Sequence, residues 1–212
     1  MKIVSFSKLY LHELTQEVVP FWEKYSIDSE YGGFYTCINS DHEVYDTDKF
    51  LWLQARQVWT FATLYDRLEK KKIWFEIAQS GCDFLEKFGH DGDYNWFFSL
   101  QRDGQPLVMP YNIFSYTFAC MAMGKMHHIT GEKKYKIAVN ETLKKIIQRE
   151  AKPKDRWDKS YPDTRPLKNF ALPMILCNLF NELGDLIPRE EKEKHIHACV
   201  NDIFNLFWDE KR

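Results

Sequence analysis

The stretch Tyr45-Asp46-Thr47-Asp48-Lys49-Phe50-Leu51-Trp52-Leu53-Gln54-Ala55-Arg56-Gln57-Val58-Trp59 decides the reading of this chain. It leaves a strand-like Val44-Tyr45 and enters a run of helical period, predicted from Asp48 to Leu68. The run is dense in aromatic and small residues, as a buried helix is. Arg56 is a cation inside it, and Trp52, four residues earlier, shares its face.

Helical spacing also covers Leu9 to Tyr25, Ile73 to Phe88, Ile113 to Ile129, Lys133 to Ile147, Leu167 to Leu183 and Glu190 to Phe207. Gly89, Gly131 and Gly184 stand just past three of these ends, where a left-handed cap is wanted. Pro188 stands near the start of the last helix, where its missing N–H costs little. Two segments break the helical period. Gly32 to Ile38 and Val44-Tyr45 flank Asn39-Ser40-Asp41-His42-Glu43 as a hairpin. Phe97 to Gln101 and Gln105 to Val108 flank a second turn, signalled by Asp103-Gly104. Lys152 to Arg165 is polar and proline-bearing, and reads as a loop.

The helices differ in character. Those from Asp48 and Asn112 are apolar and aromatic, whereas those from Lys133 and Glu190 carry a strongly charged face. Buried and solvated helices in alternation predict an all-α toroid of stacked helical hairpins. The inner starts at Asp46, Asn112 and Leu167 are unevenly spaced, so the repeat is loose.

Composition excludes several function classes. Net charge is −2 with balanced signs, so nothing is built for nucleic acid or an anionic membrane surface. No apolar run approaches the roughly 18 residues that span a bilayer. Cys37, Cys82, Cys120, Cys177 and Cys199 lie far apart and are odd in number. Met1-Lys2-Ile3-Val4 runs straight into an amphipathic stretch rather than a signal peptide, so a reduced, cytoplasmic protein is expected. Phosphate-loop, dinucleotide and nucleophile-elbow glycine motifs are absent, and Gly32-Gly33 is a turn feature. His195 and His197, two apart on a helix, face different directions and do not make a metal pair. The aromatic content of 16% suits a large core, and equally a pocket that stacks sugar rings.

The quoted segment resembles the corresponding segment of N-acylglucosamine 2-epimerases, including the renin-binding-protein branch. Tyr31-Gly32-Gly33-Phe34-Tyr35-Thr36-Cys37, Ile113-Phe114-Ser115 and Leu172-Pro173-Met174-Ile175-Leu176 match in order and approximate spacing. The resemblance implies an (α/α)6 barrel, related to cellobiose 2-epimerase and aldose–ketose isomerases. It implies a cofactor-free reaction that inverts C2 of an open-chain N-acyl hexosamine or aldose. A proton beside a carbonyl is removed and one is returned on the opposite face, which two bases near neutral pKa serve best. A cation must also steady the enediolate oxygen.

The resemblance places Arg56 on the family's active-site arginine; taken alone, Arg56 also reads as a solvated helix residue or an ion-pair partner. Trp52 is a candidate pocket wall or a core tryptophan, and Tyr35 a mouth residue or hairpin packing. Asn112 and Ser115 open an inner helix three residues apart, as sugar contacts or as caps. Residues 1–212 are expected to be the N-terminal half of such a barrel, with the family's proton-transfer histidines on later inner helices. The sugar is then the expected partner, joined by a second copy or another completing chain. Two rivals stay open: a non-catalytic, truncated binding module, and an (α/α)-barrel glycoside hydrolase with paired carboxylates. Asp46 and Asp48 are too close in sequence to straddle a glycosidic bond.

Overall fold

A computed structural model of the chain describes residues 3–109, 113–151 and 169–209. It begins with helix α1 (Ile3–Glu13), a widened π-turn (Leu14–Val18) and helix α2 (Val19–Tyr25). The widened turn comes just ahead of Pro20, which cannot donate into the helical ladder. The expected helix therefore starts earlier than Leu9, and with a bulge.

Strands β1 (Cys37–Ile38) and β2 (Val44–Asp46) pair antiparallel as the first hairpin. Strand β3 (Lys49–Phe50) leads straight into helix α3 (Leu51–Arg67). Sequence spacing alone placed Asp48 to Phe50 in the helix. Asp48 instead precedes the strand, and Lys49 and Phe50 are extended because β3 adds to the second hairpin, β4 (Ser99–Leu100) and β5 (Pro106–Val108), in the order β3-β4-β5. The Leu51 N–H then donates to the Phe98 carbonyl at 2.9 Å. Helix α4 (Lys72–Phe88) lies between the hairpins in sequence. After them come α5 (Phe114–Thr130), α6 (Lys133–Ala151), α7 (Ala171–Leu183) and α8 (Arg189–Leu206). Lys152 to Arg165, expected as a loop, lies outside the described residues.

Helix α3 packs on α5 and α5 on α7, while α4, α6 and α8 each back one of these three. The result is an arc of inner helices α3, α5 and α7 with outer helices behind them. Inner helix α5 is buried along most of its length, from Ser115 to Met126. Trp74, Trp96, Tyr135, Phe34 and Phe61 are among the largest buried side chains between the layers. Each such burial contributes roughly 1.5–3 kcal/mol before the entropy of ordering is counted.

Gln54 fastens the first hairpin to α3. Its Oε1 accepts from the Phe34 N–H at 2.8 Å and its Nε2 donates to the Phe34 carbonyl at 2.7 Å, both buried. Gly33, at φ 70°, makes the turn that presents Phe34. Of the three expected glycine caps, Gly131 is left-handed at φ 72° and Gly184 has a positive φ of 56°. Gly89 has φ −72°, and close approach explains it: a Cβ there would lie 2.6 Å from the Leu85 carbonyl oxygen and 2.9 Å from the Trp96 ring.

The ends of the arc are apolar and open. Phe6, Leu9, Tyr10 and Leu11 are exposed on α1, and Phe170, Met174, Phe204, Phe207 and Trp208 are exposed around α7 and α8. Among the described residues, no helix is long and apolar enough to cross a membrane.

Candidate functional site

Trp52 and Arg56 lie in the first two turns of α3, four residues apart and so on one face. Phe118, one turn into α5, comes against both: the Trp52 and Phe118 ring centroids are 6.2 Å apart. The Arg56 Cζ is 5.3 Å from the Phe118 centroid and 5.9 Å from that of Trp52. The negative ring faces hold the cation electrostatically. Arg56 is exposed and forms no ion pair or hydrogen bond among the described residues. Its five N–H donors are thus left for a ligand oxygen.

Three cations of the inner helices and hairpins, Lys125, Arg102 and Lys49, are by contrast neutralised. Lys125 pairs with Asp66 at 3.3 Å. Arg102 pairs with Asp28 and with Glu30, the latter at 2.9 Å. Lys49 is wholly buried against Asp28 at 3.0 Å, and its ammonium also donates to the carbonyls of Gly32 and Arg102.

That second cluster ties both hairpins to the start of α3. Burial pushes the Asp28 carboxyl up, but hydrogen bonds from Arg102 and Lys49 outweigh it and hold the group well below the usual carboxylate range. Burial pulls Lys49 down, against the favourable charge of Asp28. Tyr35 belongs here: the Arg102 guanidinium lies 5.5 Å from its ring centroid, and burial followed by Asp28 pushes its phenol up. Sequence reasoning missed this cluster, although a lysine beside an apolar run and an aspartate ahead of Gly32-Gly33 were its visible signals.

The structure therefore brings Trp52 and Arg56 together, adds Phe118, and sets Tyr35 in the hairpin clamp. Ser115 is fully buried with its Oγ unpaired, so it has no open side toward a ligand as it stands. Asn112 lies outside the described residues. A shallow depression of about 490 Å³ between the hairpins is lined by Tyr31, Asp48, Arg102 and Asp103, and does not include Arg56.

None of the seven histidines makes a hydrogen bond, ion pair or ring contact with Arg56, Trp52 or Phe118. His195 stacks on Phe180 at 4.3 Å, His42 on Tyr25 at 4.4 Å, and His90 on Tyr94 at 4.5 Å. His128 faces Asp66 at 3.6 Å near the C-terminal ends of α3 and α5. Among the described residues, no three His, Cys, Asp or Glu side chains converge as a metal site would require.

The family model of N-acylglucosamine 2-epimerase (GlcNAc 2-epimerase) matches residues 33–181, which include α3, both hairpins and Phe118. The chain belongs to the N-acylglucosamine 2-epimerase family. It is 35% identical over 174 residues to the N-acylglucosamine 2-epimerase of Bos taurus, covering 79% of this chain and 41% of that protein. It is 31% identical over 122 residues to a cellobiose 2-epimerase of Bacteroides fragilis, covering 57% of this chain and 31% of that one. The chain thus spans less than half the length of the curated relatives it matches.

Among solved structures, cellobiose 2-epimerase from Bacillus thermoamylovorans superposes with a TM-score of 0.84 at 18% identity, over 99% of this chain and 58% of that one. A GH76 α-mannanase from Bacteroides thetaiotaomicron superposes at 0.71 and 13% identity, over 98% and 58%. Both likenesses concern the fold: three inner helices and their outer partners, about half of an (α/α)6 barrel. The hydrolase shares the scaffold, and the family match separates this chain from it.

Proposed function

We propose that residues 1–212 form the N-terminal half of a sugar 2-epimerase domain and supply its oxyanion-binding cation, Arg56. The observation that carries this reading is the unneutralised Arg56 guanidinium held between Trp52 and Phe118 at the start of an inner helix. In the reaction a base takes the C2 proton of an open-chain N-acyl hexosamine or aldose. The electron pair moves onto the carbonyl oxygen, giving an enediolate from an aldose or the corresponding enolate from an N-acyl hexosamine, and Arg56 N–H groups donate to that oxygen. A proton then returns to C2 on the opposite face. Trp52 offers a ring face to the sugar beside the cation.

The bases belong, in this reading, to polypeptide that completes the barrel, since among the described residues no histidine contacts Arg56, Trp52 or Phe118. The test is incubation of the chain with N-acetylglucosamine in deuterium oxide, read by proton NMR. The expected result is retention of the C2 proton. Deuterium at C2 would mean that a base within residues 1–212 completes the reaction and would overturn the division of labour.

A further inference from the structure

From the contact between α5 and Arg56, we propose that Phe118 is a positioning residue for the oxyanion-binding cation, an inference that rests on the role just given to Arg56. A guanidinium on a three-carbon stem at an exposed helix position samples many rotamers, and most would point its donors into solvent. Carboxylates do the fixing for Arg102, with Asp28 and Glu30. A carboxylate at Arg56 would fix it equally well, but would neutralise the charge and occupy the donors that an enediolate needs.

Aromatic faces solve that conflict. Trp52 and Phe118 contact the guanidinium through their π-faces, at 5.9 and 5.3 Å, and take no hydrogen bond from it. The planar ion is restrained, its N–H edges stay unpaired, and its charge stays uncompensated. Trp52 alone could not do this, because it rides on the same helix as Arg56. Phe118 comes from α5 and links the cation to the packing of two inner helices. The two rings also contact each other at 6.2 Å with a tilt of 42°, so a change in one is felt at the other.

The experiment uses the full chain with isotope-labelled arginine, following the Arg56 Nε–Hε resonance, assigned by its loss in Arg56→Lys. In the wild type it should be shifted upfield by the ring currents and should show cross-peaks to Phe118 ring protons. Phe118→Leu should return it toward the random-coil position, and Phe118→Tyr, which keeps the ring, should restore it. Absent cross-peaks in the wild type, or an unchanged resonance in Phe118→Leu, would overturn the proposal, and the wild-type result stands even if the leucine variant fails to fold. Titration with gluconate, an anionic open-chain sugar acid, is then read on the same resonance. Binding about tenfold weaker in Phe118→Leu, but near wild type in Phe118→Tyr, is expected. Ring-dependent shifts with no gluconate response even in the wild type would sustain the positioning role and count against the sugar-site reading instead.

Discussion

Arg102 grips Asp28 through two donors, Nε to Oδ2 at 3.0 Å and Nη2 to Oδ1 at 3.1 Å, and that pair clamps the second hairpin to the segment before the first. Lys49 completes the clamp from beneath, with no solvent exposure of its side chain. Replacing it by methionine keeps the apolar stem but leaves the Gly32 and Arg102 carbonyls unpaired and Asp28 short of one partner. Breaking a buried pair from one side costs about 3–5 kcal/mol, and the retained Arg102 places Lys49→Met toward the lower figure. Urea denaturation of the two proteins checks this.

The same clamp gives the protein an acid-sensitive component. Asp28 has a folded pKa held below its unfolded one, so its contribution is fully present above the unfolded value of about 4 and is lost as pH falls toward the folded value. Asp28→Asn is expected to be less stable than wild type at pH 7, and to lose less on acidification to pH 3. Equal losses in the two proteins would place the acid sensitivity elsewhere.

Glu86 titrates with the opposite sign. Burial pushes its carboxyl up, against the pull of Lys134, and its Oε1 is buried without a partner. A carboxyl with a raised folded pKa is best tolerated at low pH, and its stability contribution falls as pH rises from the unfolded toward the folded value. Glu86→Gln should therefore stabilise the chain by about 1 kcal/mol at pH 8 and by little at pH 4, as seen in thermal melts. A gain independent of pH would show that ionisation is not the cause.

Exposed apolar side chains gather at the two ends of the arc, around Tyr10 on α1 and around Trp208 after α8, where they are 67% and 64% exposed. Patches of this kind seek a partner. Sedimentation over a range of concentrations should show the chain self-associating, and Tyr10→Ser with Trp208→Ser should weaken that association. A wild-type monomer throughout the range would contradict it.

The helices were legible because inner and outer faces differ in sequence: α5 is apolar nearly all round, whereas α8 carries Glu190, Glu191, Lys192 and Glu193 in succession. Both hairpins were legible from Gly33 and from Asp103-Gly104, whose backbone demands are local. The strand at Lys49–Phe50 was not, because only pairing with Ser99–Leu100, about fifty residues away, makes it extended. Within the site, Trp52 and Arg56 share a helix and so announced each other. Phe118 did not, since its approach depends on how α3 and α5 cross. Asp28, Lys49 and Arg102 escaped for the same reason, being distant in sequence and met only through the fold.

The central claim is that a sugar binds at Arg56, and saturation-transfer NMR with N-acetylglucosamine tests it most directly. Wild-type chain is expected to transfer saturation to the sugar, Arg56→Ala to lose that transfer, and Arg67→Ala, at the exposed far end of the same helix, to retain it. Transfer undiminished in Arg56→Ala would contradict the assignment and move the sugar away from the Trp52–Arg56–Phe118 cluster.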